Sequence, residues 1–408
     1  MPIVAASSAS SSRSSSAASG LLISRPLNVP PLAAAGAIVA AGAIYLAQAV
    51  SLTQSLLFLV GVLAGLVLYH AAFGFTSSWR AMISERRGEG LRAQMVMLAL
   101  TCAVFIPLIA SGELLGHPVR GSVSPLGISV AVGAFLFGVG MQLGGGCASG
   151  TLYTAGGGNP RMLVTLFSFV AGSVIGVLHM PAWERAPQLG TFSLMKTFGP
   201  AGALGVSLVL FAAVATLSFN VERRRHGKHA RFLTWSETGS WLRGPWPVIA
   251  GAVGLALVNI ATLVLAGRPW GVTSAFALWG SKALALLGVN VAGWAYWAPP
   301  ARAAELQGSL LTDVTTVMDV GIMLGALAAA ALAGRFAPSW KIPARSLVAA
   351  VFGGLLLGYG SRIAYGCNIG AYFGGIASTS LHGWLWFGAA FLGNAIGTRL
   401  RPVFGMKV

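Results

Sequence analysis

Ten apolar runs, each close to the length a helix needs to cross a bilayer, constrain this chain more than any other feature. They lie near residues 32–50, 55–73, 92–111, 123–143, 161–180, 200–219, 246–266, 317–334, 345–364 and 384–400. Of the 408 residues, 56% are hydrophobic and 9% are charged, too few charges to keep such runs in water. A soluble domain carries roughly a quarter charged residues. A helix satisfies its own backbone hydrogen bonds inside hydrocarbon, so the expected fold class is all-α integral membrane. The formal net charge of +17 does not point to nucleic acid, because the basic residues sit in short loops between apolar runs. Lipid is the partner that this pattern implies.

The strongest basic loops are "WRAMISERRGEGLR" (79–92), "ERRRHGKHAR" (222–231), "GRFAPSWKIPAR" (334–345) and the tail "RLRPVFGMK". If each faces the cytoplasm, ten crossings close consistently with both termini inside. Trp183, Trp246, Trp340 and Trp384 stand near run ends, as in an aromatic belt. Residues 1–30, with "SSASSSRSSSAASG", are too poor in apolar side chains to order themselves and lack the arrangement of a signal peptide. The expected organisation is a serine-rich tail over 1–30, a first membrane repeat over 31–219, a basic cytoplasmic linker over 220–245 and a second membrane repeat over 246–408.

The word repeat rests on an internal duplication. "GVGMQLGGGCASGTLY" (138–153) and "GYGSRIAYGCNIGAYF" (358–373) share one skeleton. Gly138, Gly140, Gly146, Cys147 and Gly150 match Gly358, Gly360, Gly366, Cys367 and Gly370 at a single offset of 220 residues. A second echo pairs "GFTS" (74–77) with "GVTS" (271–274), and the different offset is accounted for by an insertion around 291–316. Two halves of five spanning helices follow, and an odd number of crossings inverts the second half. Four stretches, 74–84, 145–158, 271–283 and 366–380, are too short or too glycine-rich to span and form corresponding pairs. Interrupted segments at matching positions of two inverted halves point to a transport site.

Each cysteine follows a helix-breaking glycine. A half-helix starting at Cys147 directs free N–H groups and a positive dipole end towards the break, which suits an anion. Gly146 and Gly366 allow close approach of backbone to a ligand. Ser149 and Asn368 add donors beside the cysteines, and Thr76, Ser77, Thr273 and Ser274 sit at the other pair of breaks. Arg362 precedes Cys367 by five residues within an apolar helix, where a charge is a functional candidate by default. Packing through small residues is the competing explanation for the glycines, helix capping for the hydroxyls, and snorkelling for Arg362. Cys102, the third of three cysteines, has no glycine context and is expected to be a small core residue. With no CxxC pair, neither a disulfide scaffold nor a structural zinc site is expected, and nothing calls for a cofactor.

The paired G-x-G-x(5)-G-C-x-x-G motifs in an apolar inverted repeat resemble the YeeE/YedE sulfur-transport family, over about residues 55–400. The resemblance implies a bacterial inner-membrane carrier for thiosulfate or a similar small sulfur anion. It implies that cysteines near the midplane relay the anion through S–H hydrogen bonds, roles that fall on Cys147 and Cys367. It also implies, for some members, a small soluble sulfur-carrier protein as partner. The family often has a third cysteine ahead of a basic loop; here Gly74, in "AAFGFTSSWR", stands in its place. The alternative is a membrane thiol oxidoreductase or sulfurtransferase using Cys147 and Cys367. Against an enzyme stand the distance between them in sequence and the expectation that no histidine or carboxylate lies beside either to act as base.

Overall fold

Helix starts and stops follow the local chemistry of the sequence. Ser51 accepts the Gln54 N–H at 3.1 Å, Asn159 caps a helix with proline at its first position, and Asp313 accepts from Thr315 and Thr316 at 3.3 and 2.8 Å. Gly112, Gly145, Gly227 and Gly267 end helices in the left-handed conformation. The computed structural model describes residues 26–114, 116–227 and 239–408. Residues 1–25 of the expected serine-rich tail and residues 228–238 of the expected linker lie outside the described residues.

The first stretch contains α1 (Val29–Ala49), α2 (Leu52–His70), the short α3 (Phe75–Arg80) running into a π-turn at Ala81–Glu85, and α4 (Glu89–Ser111). Then come α5 (Ile128–Gly144), the short α6 (Ala148–Gly156), α7 (Pro160–Glu184) and α8 (Leu194–His226). The remainder contains α9 (Val248–Ala266), α10 (Thr273–Leu286), α11 (Pro300–Gln307) and α12 (Val314–Leu332). It ends with α13 (Ala344–Ile363), a π-turn at Asn368–Phe373, α14 (Gly374–Ala377) and α15 (Leu381–Leu400). Each of the ten expected spans is a helix, and each of the four expected breaks carries a short helix or π-turn.

Among the described residues, nine helical stretches are long and apolar enough to cross a membrane. They contain every expected span except α15, whose 20 residues include His382, Asn394, Thr398, Arg399 and four glycines. Those polar side chains at 382, 394 and 398 are buried in the bundle rather than facing lipid. The span expected from residue 200 begins where expected, because Gly199 leaves helical geometry with φ 69° just ahead of Pro200. Residues 125–127, expected in a span, instead pair as a short antiparallel strand with Gln188–Thr191, since Pro125 and Gly127 do not favour helix.

The glycines of the repeat motif divide between two tasks. Gly138 and Gly140 lie against backbone of Ala390 and Gly353, and Gly358 and Gly360 lie against backbone of Phe169 and Gly133. A Cβ at any of the four would collide with that backbone, so α5, α13, α7 and α15 pack as closely as small residues permit. The expected packing role therefore holds for these four positions. The ends of the basic segments gather at one end of the bundle. Buried Arg92 pairs with Glu222 at 2.7 Å, His226 Nε2 reaches the Glu85 carbonyl at 2.8 Å, and Lys341 shares a cavity of about 480 Å³ with Tyr69, Asn159 and Arg161.

Candidate functional site

Cys147 caps α6. Its Sγ accepts the Gly150 N–H at 3.4 Å and lies 3.5 Å from the Ser149 hydroxyl, while its carbonyl accepts from Thr151 N–H and Oγ1, each at 2.8 Å. Glycine is required around it. Gly145 has φ 94°, and a Cβ on Gly146 would sit 3.1 Å from the backbone of Gly150 and Thr151. The C-terminal carbonyls of α5 are closed off by Arg161, which donates to Gly144 and Leu143 at 2.6 and 2.7 Å.

Cys367 opens the second loop in the same manner. Gly366 has φ 144°, a Cβ there would stand 2.9 Å from the Ala371 nitrogen, and the Ala371 N–H donates to the Cys367 carbonyl at 2.9 Å. The thiols differ: Cys147 Sγ accepts the Gly150 N–H, whereas Cys367 makes no side-chain capping hydrogen bond at the start of its loop. Trp386 Nε1 holds the Gly366 carbonyl at 3.1 Å. Tyr372 stacks on Trp386 and Phe387 and meets Trp79 of α3 edge-on at 5.8 Å, so the second loop rests on the first half's short helix. Cys147, Cys367, Ser149 and Asn368 are all buried.

A small cavity opens onto each cysteine loop. The first, about 90 Å³, is lined by Gly74, Thr76, Ser77, Arg80, Gly146 and Cys147, among others. The second, about 150 Å³, is lined by Arg268, Thr273, Ser274, Arg362, Gly366 and Gly370, among others. Room for one water needs about 10–15 Å³, so both are several times larger than a single water site. The structure thus joins the two pairs of breaks into two sites: Thr76 and Ser77 with the Cys147 loop, Thr273 and Ser274 with the Cys367 loop.

The individual side chains differ in how committed they are. Thr76 Oγ1 has no partner among the described residues, and neither polar atom of the Asn368 side chain has one. Buried polar atoms without a partner are uncommon, and these two side chains stand at the two loops. Ser77 Oγ donates to the Gly74 carbonyl at 3.1 Å, a local turn contact. Ser274 Oγ donates to Thr315 Oγ1 at 3.0 Å. Arg362 is in the last turn of α13, donates to the Tyr296 hydroxyl at 3.0 Å and lies 5.5 Å from that ring, with Arg302 on the same ring at 4.2 Å. Glu305, on α11, faces these cations. Although Glu305 is exposed, partial desolvation raises its carboxyl above the usual range and Asp313 adds to the rise, while Arg362, Arg268 and Arg302 oppose it. At the other end of the bundle, burial and the nearby Arg80 and Arg161 draw Arg401 down to about 10.

Sequence reasoning missed Arg80 and Arg268, which it counted among loops, and Tyr296, inside the insertion. It also missed Asp319, one acid within an apolar run. Asp319 is fully buried on α12, and neither of its carboxyl oxygens has a hydrogen-bond partner among the described residues. Cys102 is fully buried, with Sγ 4.0 Å from the Ile376 carbonyl, and lines neither cavity. Among the described residues no cluster of histidine, cysteine and carboxylate side chains forms a metal site.

Comparison with known proteins adds an independent line. The chain is 31% identical over 179 residues to the probable transporter YedE of Escherichia coli (strain K12), spanning 43% of this chain and 44% of that protein. It thus covers less than half the length of that relative. It is 28% identical over 361 residues to the thiosulfate transporter TsuA of Spirochaeta thermophila, spanning 82% of this chain and 95% of that protein. To TsuA of Escherichia coli (strain K12) it is 25% identical over 351 residues, 82% of this chain and 90% of that one. The family described as sulphur transport matches residues 70–396, which include both cysteine loops and both cavities. With that match over most of its length and its set of apolar helices, the chain is a multi-pass membrane protein that belongs to the sulphur-transport family.

Proposed function

We propose that this protein carries thiosulfate, or a similar small sulfur-containing anion, across the bacterial inner membrane, past Cys147 and Cys367. The observation that carries the reading is the pair of cavities, each with an arginine and a glycine-broken loop bearing a buried cysteine. Arg80 serves one cavity and Arg268 with Arg362 the other, giving an anion a favourable potential at each mouth. A thiol is a weak donor and polarisable, which suits a soft sulfur atom better than a hard oxyanion. Thr76, Asn368 and Ser149 contribute further polar contacts, so the anion exchanges its water for several weak partners. Weak partners in series favour passage, since tight binding at any one of them would arrest it. The relatives named as thiosulfate transporters support this substrate class.

Orientation follows from charge. The basic loops gathered at one end of the bundle face the cytoplasm, so the cavity at Arg362 opens outward and the cavity at Arg80 opens inward. The soluble sulfur-carrier partner implied for some members would receive the anion on the inward side. Radiolabelled thiosulfate uptake into proteoliposomes, with sulfate as comparison anion, tests the reading. Saturable thiosulfate uptake that sulfate competes with weakly is expected. Equal competition by sulfate, or uptake no greater than in empty liposomes, contradicts it.

A further inference from the structure

Asp319 is the least explained charge-bearing group in the molecule. It is fully buried in the second turn of α12, and neither carboxyl oxygen has a hydrogen-bond partner among the described residues. A bare carboxylate in such a place is costly, and acids inside spanning helices cluster on ion and proton pathways. Its position on α12 says what it faces. Thr315, Asp319 and Met323 recur at intervals of four and share one helix face. Thr315 Oγ1, at one end of that face, accepts from Ser274 at 3.0 Å and from Arg268 at 3.3 Å, both lining the outer cavity. Met323, at the other end, has its backbone against Gly156 of α6, the helix that Cys147 caps. Asp319 thus lies between the outer cavity and the first cysteine's helix.

The ionisable groups on the elements around it leave it alone. Asp313 is six residues away, occupied in capping α12. Lys282 of α10 donates to the carbonyls of Leu306 and Gly308 at 2.6 and 2.7 Å, and Arg268 is on Thr315. From α2 come only Tyr69 and His70 at its far end, from α6 only Tyr153, and from α1 only the exposed Tyr45. Among the described residues no cation is paired with Asp319. An ionised Asp319 would therefore repel a passing anion, whereas a protonated one would not.

We propose that Asp319 couples anion movement to protons: it holds a proton taken from the outer cavity while the anion occupies the cysteine loops, and releases it to the inner side once the anion has left. Only an O–H bond forms and breaks, and the solvent on each side supplies and receives the proton. The inference rests on the proposed function. One proton per dianion halves the net charge moved against a negatively charged interior and adds the pH gradient as a driving force.

The test is thiosulfate accumulation in proteoliposomes with membrane potential clamped at zero and an imposed inside-alkaline pH gradient. Wild type should accumulate thiosulfate about tenfold per pH unit for one proton per anion. Asp319→Asn should keep measurable thiosulfate counterflow yet show no accumulation beyond equilibrium, and Asp319→Glu should restore some of it. Wild-type counterflow without any response to the pH gradient overturns the inference and leaves the proposed function standing. Asp319→Asn accumulating like wild type overturns it too. So does Asp319→Asn dead in counterflow, the result a purely structural acid would give. Absence of wild-type counterflow overturns the proposed function itself.

Discussion

Cys147 accepts the backbone N–H three residues on, Cys367 makes no such side-chain bond, and each is followed closely by a buried polar side chain, Ser149 or Asn368. Removing either thiol takes away one small group from a packed loop and one weak hydrogen bond to a charged partner, worth about 1.5–3 kcal/mol. Cys147→Ala and Cys367→Ala should each lower thiosulfate transport by roughly ten- to hundredfold, with unchanged membrane abundance. Cys102→Ala, away from both cavities, should change transport little. Serine replacements that retain part of the rate would indicate donation alone; serine variants as inactive as alanine would indicate a covalent or disulfide step. Arg362 has a packing partner in Tyr296 as well as a place in the outer cavity. Its loss should act at low substrate: Arg362→Met should raise KM several-fold and leave the maximal rate nearly intact. Unchanged kinetics would assign Arg362 to holding the insertion through Tyr296.

At the scale of the element, the loops depend on glycine in a way the helices do not. Gly366→Ala forces a side chain into φ 144° and against the Ala371 nitrogen at 2.9 Å. Residues held in such backbone regions cost about 1–3 kcal/mol, so the variant should unfold at lower temperature in detergent and lose transport. Gly388→Ala, with open space around its site on α15, should melt with wild type. Equal melting of both variants would contradict the loop's dependence on Gly366. These loops were legible beforehand because glycine both breaks a helix and permits positive φ, and because the break occurs twice in register. The spans were legible because an apolar run needs no knowledge of its neighbours. What stayed hidden depends on long-range packing. Residues 291–313 looked like an insertion, and nothing local indicates that Tyr296 folds onto Arg362. Asp319 does not interrupt its apolar run, so only burial without a partner exposes it. Arg80 was obscured because one short segment serves as both half-helix and basic loop.

At the scale of the whole molecule, helix packing follows an exchange of halves. α2 packs on α12 as α9 packs on α4, α5 on α15 as α13 on α7, and α1 on α12 as α8 on α4. This pattern favours assigning α8 to the second half, with α1, α2, α4, α5 and α7 corresponding to α8, α9, α12, α13 and α15. On the proposed reading, two inverted five-helix halves present their cavities to opposite sides. Membrane-impermeant labelling of single cysteines checks this: positions within 79–92 and 334–345 should label from one face, and positions within 187–193 and 291–313 from the other. Labelling of 79–92 and 334–345 from opposite faces would contradict the inversion. The central claim is that one anion path joins the two cavities through both cysteines. Its most direct measurement is thiosulfate uptake by the Cys147→Ala/Cys367→Ala double variant, reconstituted at the same density as wild type. Uptake indistinguishable from empty liposomes is the predicted result; uptake at the wild-type rate would contradict the account and leave the duplicated motif as packing alone.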